Sequence, residues 1–171
     1  MKVFLSGPIG IGKSTVVVRT VALLDGMTVA GLRTRPLVRE GKRTGYVLES
    51  LSGEQQVFAD LTFPQTIRFG RFGVRPDVFS DLGVRALEEA RPADLVVVDE
   101  LGVMETAATP YVRAVECLMS GPARVLAVVQ ERALGFWEPT LLAAGNSRHL
   151  QVSATNRDEL PQQIARLLRA G

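Results

Sequence analysis

Three short stretches carry residue types that suit phosphate chemistry. Gly7-Pro8-Ile9-Gly10-Ile11-Gly12-Lys13-Ser14 matches G-x-x-x-x-G-K-[ST] without a gap. Glycines there let the backbone curl so that successive N–H groups face one concavity. The following helix, read from Ser14 to Leu24, adds its free N–H groups and positive dipole end. Lys13 can then reach β- and γ-phosphates, and the Ser14 hydroxyl can hold Mg²⁺. The second stretch is Leu95-Val96-Val97-Val98-Asp99-Glu100, two acids ending an apolar run, the Walker B pattern. Asp99 would hold Mg²⁺, directly or through water, and Glu100 would polarise a water for attack on a γ-phosphate. Two adjacent acids repel unless a cation or a proton lies near them; read blandly, Asp99 and Glu100 are a polar strand end.

The third stretch, Arg68-Phe69-Gly70-Arg71-Phe72-Gly73-Val74, is rich in Arg and Gly. Read as an ordered loop closing over a nucleotide, it offers Arg68, Arg71 or Arg75 as a charge-stabilising finger supplied in cis. Read blandly, it is a solvated basic loop. Gln130 ends the apolar run Val125 to Val129, and Arg132 follows. Either residue is placed to touch the γ-phosphate or its water, or is a solvated strand end. Asn156-Arg157-Asp158-Glu159 precedes the last helix and reads either as capping or as contact with a base or ribose. It is not the Asn-Lys-x-Asp guanine reader, so no guanine specificity follows.

The elements that must position these residues follow from periodicity. Val3-Phe4-Leu5 is a buried strand ahead of the loop, and Val17, Val18, Val21 and Leu24 recur at helical spacing after it, up to Asp25-Gly26. Met27 to Leu32 reads as a second strand. Short runs around Leu37-Val38, Tyr46-Val47-Leu48 and Gln56-Val57-Phe58, separated by Gly-containing turns, predict an antiparallel meander inserted at about residues 35–60. Asp77 to Arg91 and Pro110 to Ser120 predict helices, the second with Val112, Val115, Leu118 and Met119 inward and Cys117 in the core. Further helices are expected from Phe136 towards Gly145 and from about Asp158 to Arg169, with Asp158 as N-cap and Pro161 in the first turn. Leu95 to Val98 and Val125 to Val129 are continuous apolar runs of the kind covered on both faces. A last short strand is Leu150-Gln151-Val152. Strands alternating with helices predict an α/β fold, a parallel sheet with helices on both faces.

The chain has 171 residues, which suits a single domain over 1–171. Its net charge of +2 is too small to argue for a nucleic-acid or membrane surface. One Cys and one His exclude an internal disulfide and a Cys/His zinc site. His149 is expected to be structural or exposed, and Trp137 to be packing. No apolar run reaches membrane-spanning length, and Gly7, Pro8, Gly10 and Lys13 break the apolar opening, so a cytoplasmic location is expected. Of 20 basic residues only Lys2, Lys13 and Lys42 are lysines. Lys13 falls where a slender point charge is wanted between phosphate oxygens.

Taken in order, the phosphate loop through Thr15, the Arg68–Val74 stretch, Val97-Val98-Asp99-Glu100-Leu101-Gly102-Val103-Met104-Glu105 and Asn156-Arg157-Asp158-Glu159-Leu160-Pro161 resemble the cancer-related nucleoside-triphosphatase family. The resemblance spans nearly the whole chain. It implies a RecA-like three-layer P-loop sandwich, mainly parallel. It also implies slow Mg²⁺-dependent hydrolysis of ATP, GTP and other nucleoside triphosphates, with broad base tolerance. Nucleotide-binding stretches of the family map onto Gly7 to Thr15 and onto Asp99, Glu100, Leu101 and Gly102. Many members carry a basic residue or His at the position of Gln130, often Lys at that of Arg71, and often Tyr at that of Phe72.

The reading is therefore a nucleoside-triphosphate hydrolase, with Lys13, Glu100, Gln130 and Arg71 as catalytic groups, Ser14 and Asp99 as metal ligands, and Asn156 and Arg157 beside the nucleoside. No nucleic-acid or membrane partner is expected, and the chain is expected to be monomeric. Two rivals use the same loop. One is a nucleotide or small-molecule kinase, in which Glu100 activates an acceptor hydroxyl. The other is a nucleotide-switched module that binds a protein partner through the meander.

Overall fold

The computed structural model describes residues 1–170. Among these, nine strands form one sheet in the order β5-β6-β4-β3-β2-β7-β8-β1-β9. The strands are β1 (Lys2–Ser6), β2 (Val29–Arg39), β3 (Lys42–Ser50), β4 (Gln55–Asp60), β5 (Arg68–Phe69), β6 (Phe72–Val74), β7 (Leu95–Leu101), β8 (Val125–Val129) and β9 (Ser147–Gln151). The helices are α1 (Lys13–Ala22), α2 (Pro76–Val78), α3 (Val84–Glu89), α4 (Thr109–Ser120), α5 (Leu134–Leu142) and α6 (Leu160–Ala170). No helix of the described residues is long and apolar enough to cross a membrane.

The apolar runs predicted as central strands become β1, β7 and β8, paired in parallel. Their alternate side chains serve two different cores. Val3, Leu5, Leu95, Val97, Leu126 and Val128 pack with Val16 and Val17 of α1 and Ile164 and Leu168 of α6. Phe4, Val96, Val98, Ala127 and Val129 face the other way, onto Phe79, Tyr111, Leu118 and Trp137. Burial on both faces is why these strands read as unbroken apolar runs.

The meander is present but is not set apart from the parallel core. β2 is one long strand where the sequence suggested two runs. Val29–Arg33 pairs in parallel with β7, and Leu32–Arg39 pairs antiparallel with β3. The antiparallel run then continues to Val74. Four strand pairings are parallel and four antiparallel, so the expected parallel core occupies one half of a mixed sheet.

Other local expectations shift for identifiable reasons. Arg68 to Val74 is a hairpin turning at Gly70-Arg71, not a loop. The stretch 77–91 is helical but interrupted by a π-helical turn, Phe79–Gly83, where Gly83 lies flat against the Tyr111 ring. Cys117 is exposed, a correction to its expected burial. Tyr111, Val115, Leu118 and Met119 already fill the inward stripe of α4, and 117 falls on the opposite side. α6 begins at Leu160, with Pro161 in its first turn, and the Asn156 carbonyl accepts the Glu159 and Leu160 N–H groups.

Where β2 joins the parallel core, Gly31 has a φ of 128°, and a Cβ there would stand 2.0 Å from the Val97 carbonyl oxygen. Gly31→Ala is expected to cost about 3 kcal/mol through backbone strain and the opened β2–β7 pairing. A lowered urea midpoint with unchanged slope would measure it.

Candidate functional site

Parallel pairing brings the C-terminal ends of β1, β7 and β8 to one edge of the sheet. In open α/β sheets this edge is the place for ligands. The loop after β1 turns into α1 at Gly12, whose φ of 107° is left-handed and unfavourable for a side chain. Lys13 is nearly buried and curls back over the loop, donating from Nζ to the carbonyls of Gly7 at 2.6 Å and Pro8 at 3.0 Å. The ammonium is thus held at the loop's mouth.

Ser14 opens the first turn of α1, and its hydroxyl lies near enough to the Asp99 carboxylate to favour the charged form. Asp99 is 8% exposed and is not among the residues that line the cavity, although its neighbour Glu100 and Ser14 both are. Burial pushes its pKa up to about 6, and the charge of Glu100 adds to the rise; the Ser14 hydroxyl, Lys13 and Arg33 oppose it. An oxygen-only pair, one carboxylate and one hydroxyl, suits Mg²⁺, which takes few protein ligands and fills its octahedron with water and phosphate oxygens. A cation there would also relieve the desolvated charge that raises Asp99. The residues therefore fit the metal.

Glu100 leaves the ladder. Asp99 pairs with Val128 and Leu101 with Val129, so Glu100 is the extra residue of a bulge. Bulges re-aim side chains, and here Glu100 lines the cavity and accepts a hydrogen bond from Gln130 Nε2. The Gln130 backbone N–H donates to the Leu101 carbonyl at 3.0 Å, which fastens the two strand ends together. The Trp137 indole N–H, fully buried, donates to the Gly102 carbonyl at 3.0 Å and fixes the turn after β7. Sequence reading assigned Trp137 to packing alone and had no signal for this bond.

The cavity encloses about 730 Å³. Gly7, Ile9, Gly10, Gly12, Lys13, Ser14 and Thr15 line one side, with Glu100 and Gln130 below. The opposite wall comes from the meander and the β8 end. There, three guanidinium groups lie over rings: Arg43 over Tyr46 at 5.4 Å, Arg71 over Phe72 at 5.2 Å and Arg132 over Phe69 at 5.5 Å. Arg71 Nη2 also donates to the Arg43 carbonyl at 2.9 Å. Of the Arg cluster weighed from sequence, only Arg71 reaches this wall. Arg75 is paired with Asp77, and Arg68 leans on Gln65 at 3.4 Å. Arg43 and Tyr46 carry no sequence signal, because only the β2–β3 hairpin brings them there.

A smaller cavity of about 240 Å³ lies beside the start of α1, lined by Gly12, Thr15, Val16, Arg19, Arg157 and Asp158. Arg157 leans toward the phosphate loop, 3.5 Å from the Ile11 carbonyl. Asn156 is not in that lining. Its side chain accepts from the Ser153 N–H and donates to the Gln151 carbonyl, both at 2.9 Å, so it ties the loop after β9 together. Pro8 and Ile11 are absent from both linings, and the Leu101 side chain is wholly buried in the core. His149 is exposed on β9 and bonds the Ser6 hydroxyl at 2.7 Å.

Residues 2–165 match the protein family described as NTPase. The nucleoside-triphosphatase THEP1 of Methanosarcina acetivorans is 31% identical over 96% of this chain and 94% of its own. The crystal structure of THEP1 from the hyperthermophile Aquifex aeolicus superposes with a TM-score of 0.84 at 26% identity, over 98% of this chain and 99% of that one. The solution structure of a human cancer-related nucleoside triphosphatase gives 0.83 at 25% identity, over 99% and 98%.

A Cβ at Gly102 would stand 2.7 Å from Gln130 Cδ and Nε2. Gly102→Ala is expected to push Gln130 off Glu100 at a cost of about 1–3 kcal/mol, the usual overpacking penalty. Urea unfolding would read the loss of stability. The Gln130 side-chain amide would move to the NMR position of a solvated amide.

Proposed function

The chain belongs to the NTPase family and is a nucleoside-triphosphatase, and we propose that it cleaves the bond between the β- and γ-phosphates of ATP, GTP and other nucleoside triphosphates, with Mg²⁺. The observation that carries this is the convergence of Lys13, Ser14, Glu100 and Gln130 on one cavity, with Asp99 next to Glu100 in β7.

In this reading the triphosphate lies along the backbone N–H groups of the loop. Lys13 exchanges its hold on the Gly7 and Pro8 carbonyls for the β- and γ-phosphate oxygens. Ser14 and Asp99 would hold Mg²⁺, which would supply positive charge to offset that of the triphosphate. Gln130 and Glu100 hold a water in line with the γ-phosphorus. As the water oxygen bonds to phosphorus, Glu100 takes a proton, the bridging P–O bond breaks, and nucleoside diphosphate leaves with its electrons. Arg71, on the facing wall, stabilises charge spreading over the departing phosphoryl oxygens. Such catalysis is mostly positioning and electrostatics.

The nucleoside is placed at the smaller cavity, against Arg157. Arg19 and Asp158 there already pair with each other at 2.9 Å. That leaves little to read a base edge, which supports broad base tolerance. Asn156 serves this site at one remove, by ordering the loop that carries Arg157.

One observation favours a second reading. The cavity extends past the phosphate loop to the wall of Arg43, Tyr46, Phe69 and Arg132. A phosphorylated acceptor could lie there, with Glu100 activating its hydroxyl.

Phosphate release across a nucleotide panel tests the main reading. Chelating Mg²⁺ is expected to abolish it. Lys13→Ala and Glu100→Gln should each lower kcat by about 10²–10⁴-fold, with Glu100→Gln retaining nucleotide binding. Full activity in Glu100→Gln would remove its role as base. A sharp rise in turnover with one added acceptor, giving a phosphorylated product, would favour the kinase.

A further inference from the structure

Glu105 takes no part in the chemistry above. It lies in the 3₁₀ turn Met104–Ala107, only 1% exposed, and its Oε2 atom has no hydrogen-bond partner. An unpaired carboxylate is very costly to bury, so such a group keeps its proton instead. Burial pushes the Glu105 pKa up to about 8, and the charge of Glu100 pushes the same way. The backbone N–H groups of Glu105 itself and of Gly102 oppose the rise. Near neutral pH the group is a carboxylic acid, able to donate as well as accept.

Its place matters more than its charge. A Cβ built on Gly102 would stand 2.7 Å from Glu105 Oε2 and also 2.7 Å from Gln130 Cδ and Nε2. The two side chains therefore border the same space, which the missing side chain of Gly102 leaves open, with no hydrogen bond between them in this structure. Gln130 in turn donates from Nε2 to Glu100.

We propose that Glu105 is a positioning residue: its buried carboxyl backs the Gln130 amide across Gly102 and keeps that amide turned toward Glu100. An amide presents a donor and an acceptor in opposite senses. A carboxylic acid can donate to the amide oxygen and leave Nε2 to Glu100. A carboxylate can only accept. It competes with Glu100 for the Nε2 hydrogens and adds a second negative charge to the corner. The titratable groups facing Glu105 are Glu100 from β7 and Tyr111 from α4. Burial and the Glu105 charge both hold Tyr111 in its protonated form, so Tyr111 contributes no competing charge. The sign follows: Glu105 is protonated below about 8 and loses its positioning role as pH rises through that value.

This inference rests on the assignment of Gln130 and Glu100 to the attacking water, so its test needs one readout independent of turnover. In nucleotide-free protein, the Gln130 side-chain amide is followed by NMR as pH rises. It is expected to shift with a midpoint near 8 in the native protein and to lose that transition in Glu105→Gln, which stays neutral. In kinetics, Glu105→Gln should rescue turnover at neutral pH and lose the alkaline decline. Glu105→Leu should lower kcat by about 10–100-fold with KM nearly unchanged. An amide transition that persists in Glu105→Gln overturns the proposal, as does an unchanged alkaline limb. If the amide follows Glu105 but Glu105→Leu turns over like the native protein, positioning stands and the assignment of Gln130 and Glu100 to the water falls.

Discussion

Parallel strands all finish on the same edge of a sheet, and in this chain β1, β7 and β8 lie side by side with their polar residues placed at that finish. The phosphate loop, the acidic pair and Gln130 lie far apart along the chain. They converge because each follows an apolar run buried on both faces. The runs are held in register by Val3 against Leu126 and by Val97 against Leu126. The cores on the two faces supply the stability, and the strand ends bring these polar groups to one edge.

That convergence concentrates negative charge. Asp99 and Glu105 are both buried, and both have pKa values raised mainly by burial. The fold meets each with a different device. Asp99 has the Ser14 hydroxyl, with Lys13 and Arg33 near enough to favour its charge. Glu105 is buried with Oε2 unpartnered and keeps its proton. Glu100, between them in sequence, is turned by the bulge onto Gln130. Three carboxyl groups within seven residues thus meet three different environments, which is how neighbouring acids come to differ in task.

The antiparallel half of the sheet has a different role. Its packed rings, Tyr46 stacked on Phe58 at 6.0 Å and Phe58 tilted against Phe79 at 4.6 Å, anchor the hairpins to the helical stretch beneath. From that base Tyr46, Phe69 and Phe72 each carry a guanidinium group toward the cavity. A ring under an Arg limits where the long side chain can go. The wall facing the phosphate loop is therefore ordered without ion pairs to consume its charge at Arg71 or Arg132 among the described residues.

By itself, the sequence determined what is local. Gly7 to Ser14 specifies its loop because backbone conformation and the following helix are set by adjacent residues. Val3 to Leu5, Leu95 to Val98 and Val125 to Val129 specify buried strands because continuous apolar runs have no solvated face. Lys13, Ser14, Asp99 and Glu100 were legible for that reason. Tertiary structure decided what depends on partners distant in sequence. Whether Arg71 rather than Arg68 or Arg75 faces the loop depends on hairpin register. Arg43 and Tyr46 join the cavity only because β2 changes partner midway, from β7 to β3. Asn156 turned out to have its side chain committed to backbone groups of its own loop. Glu105 could not be told from a surface acid by its neighbours, because burial is a property of the packed fold and not of the residue's place in the chain.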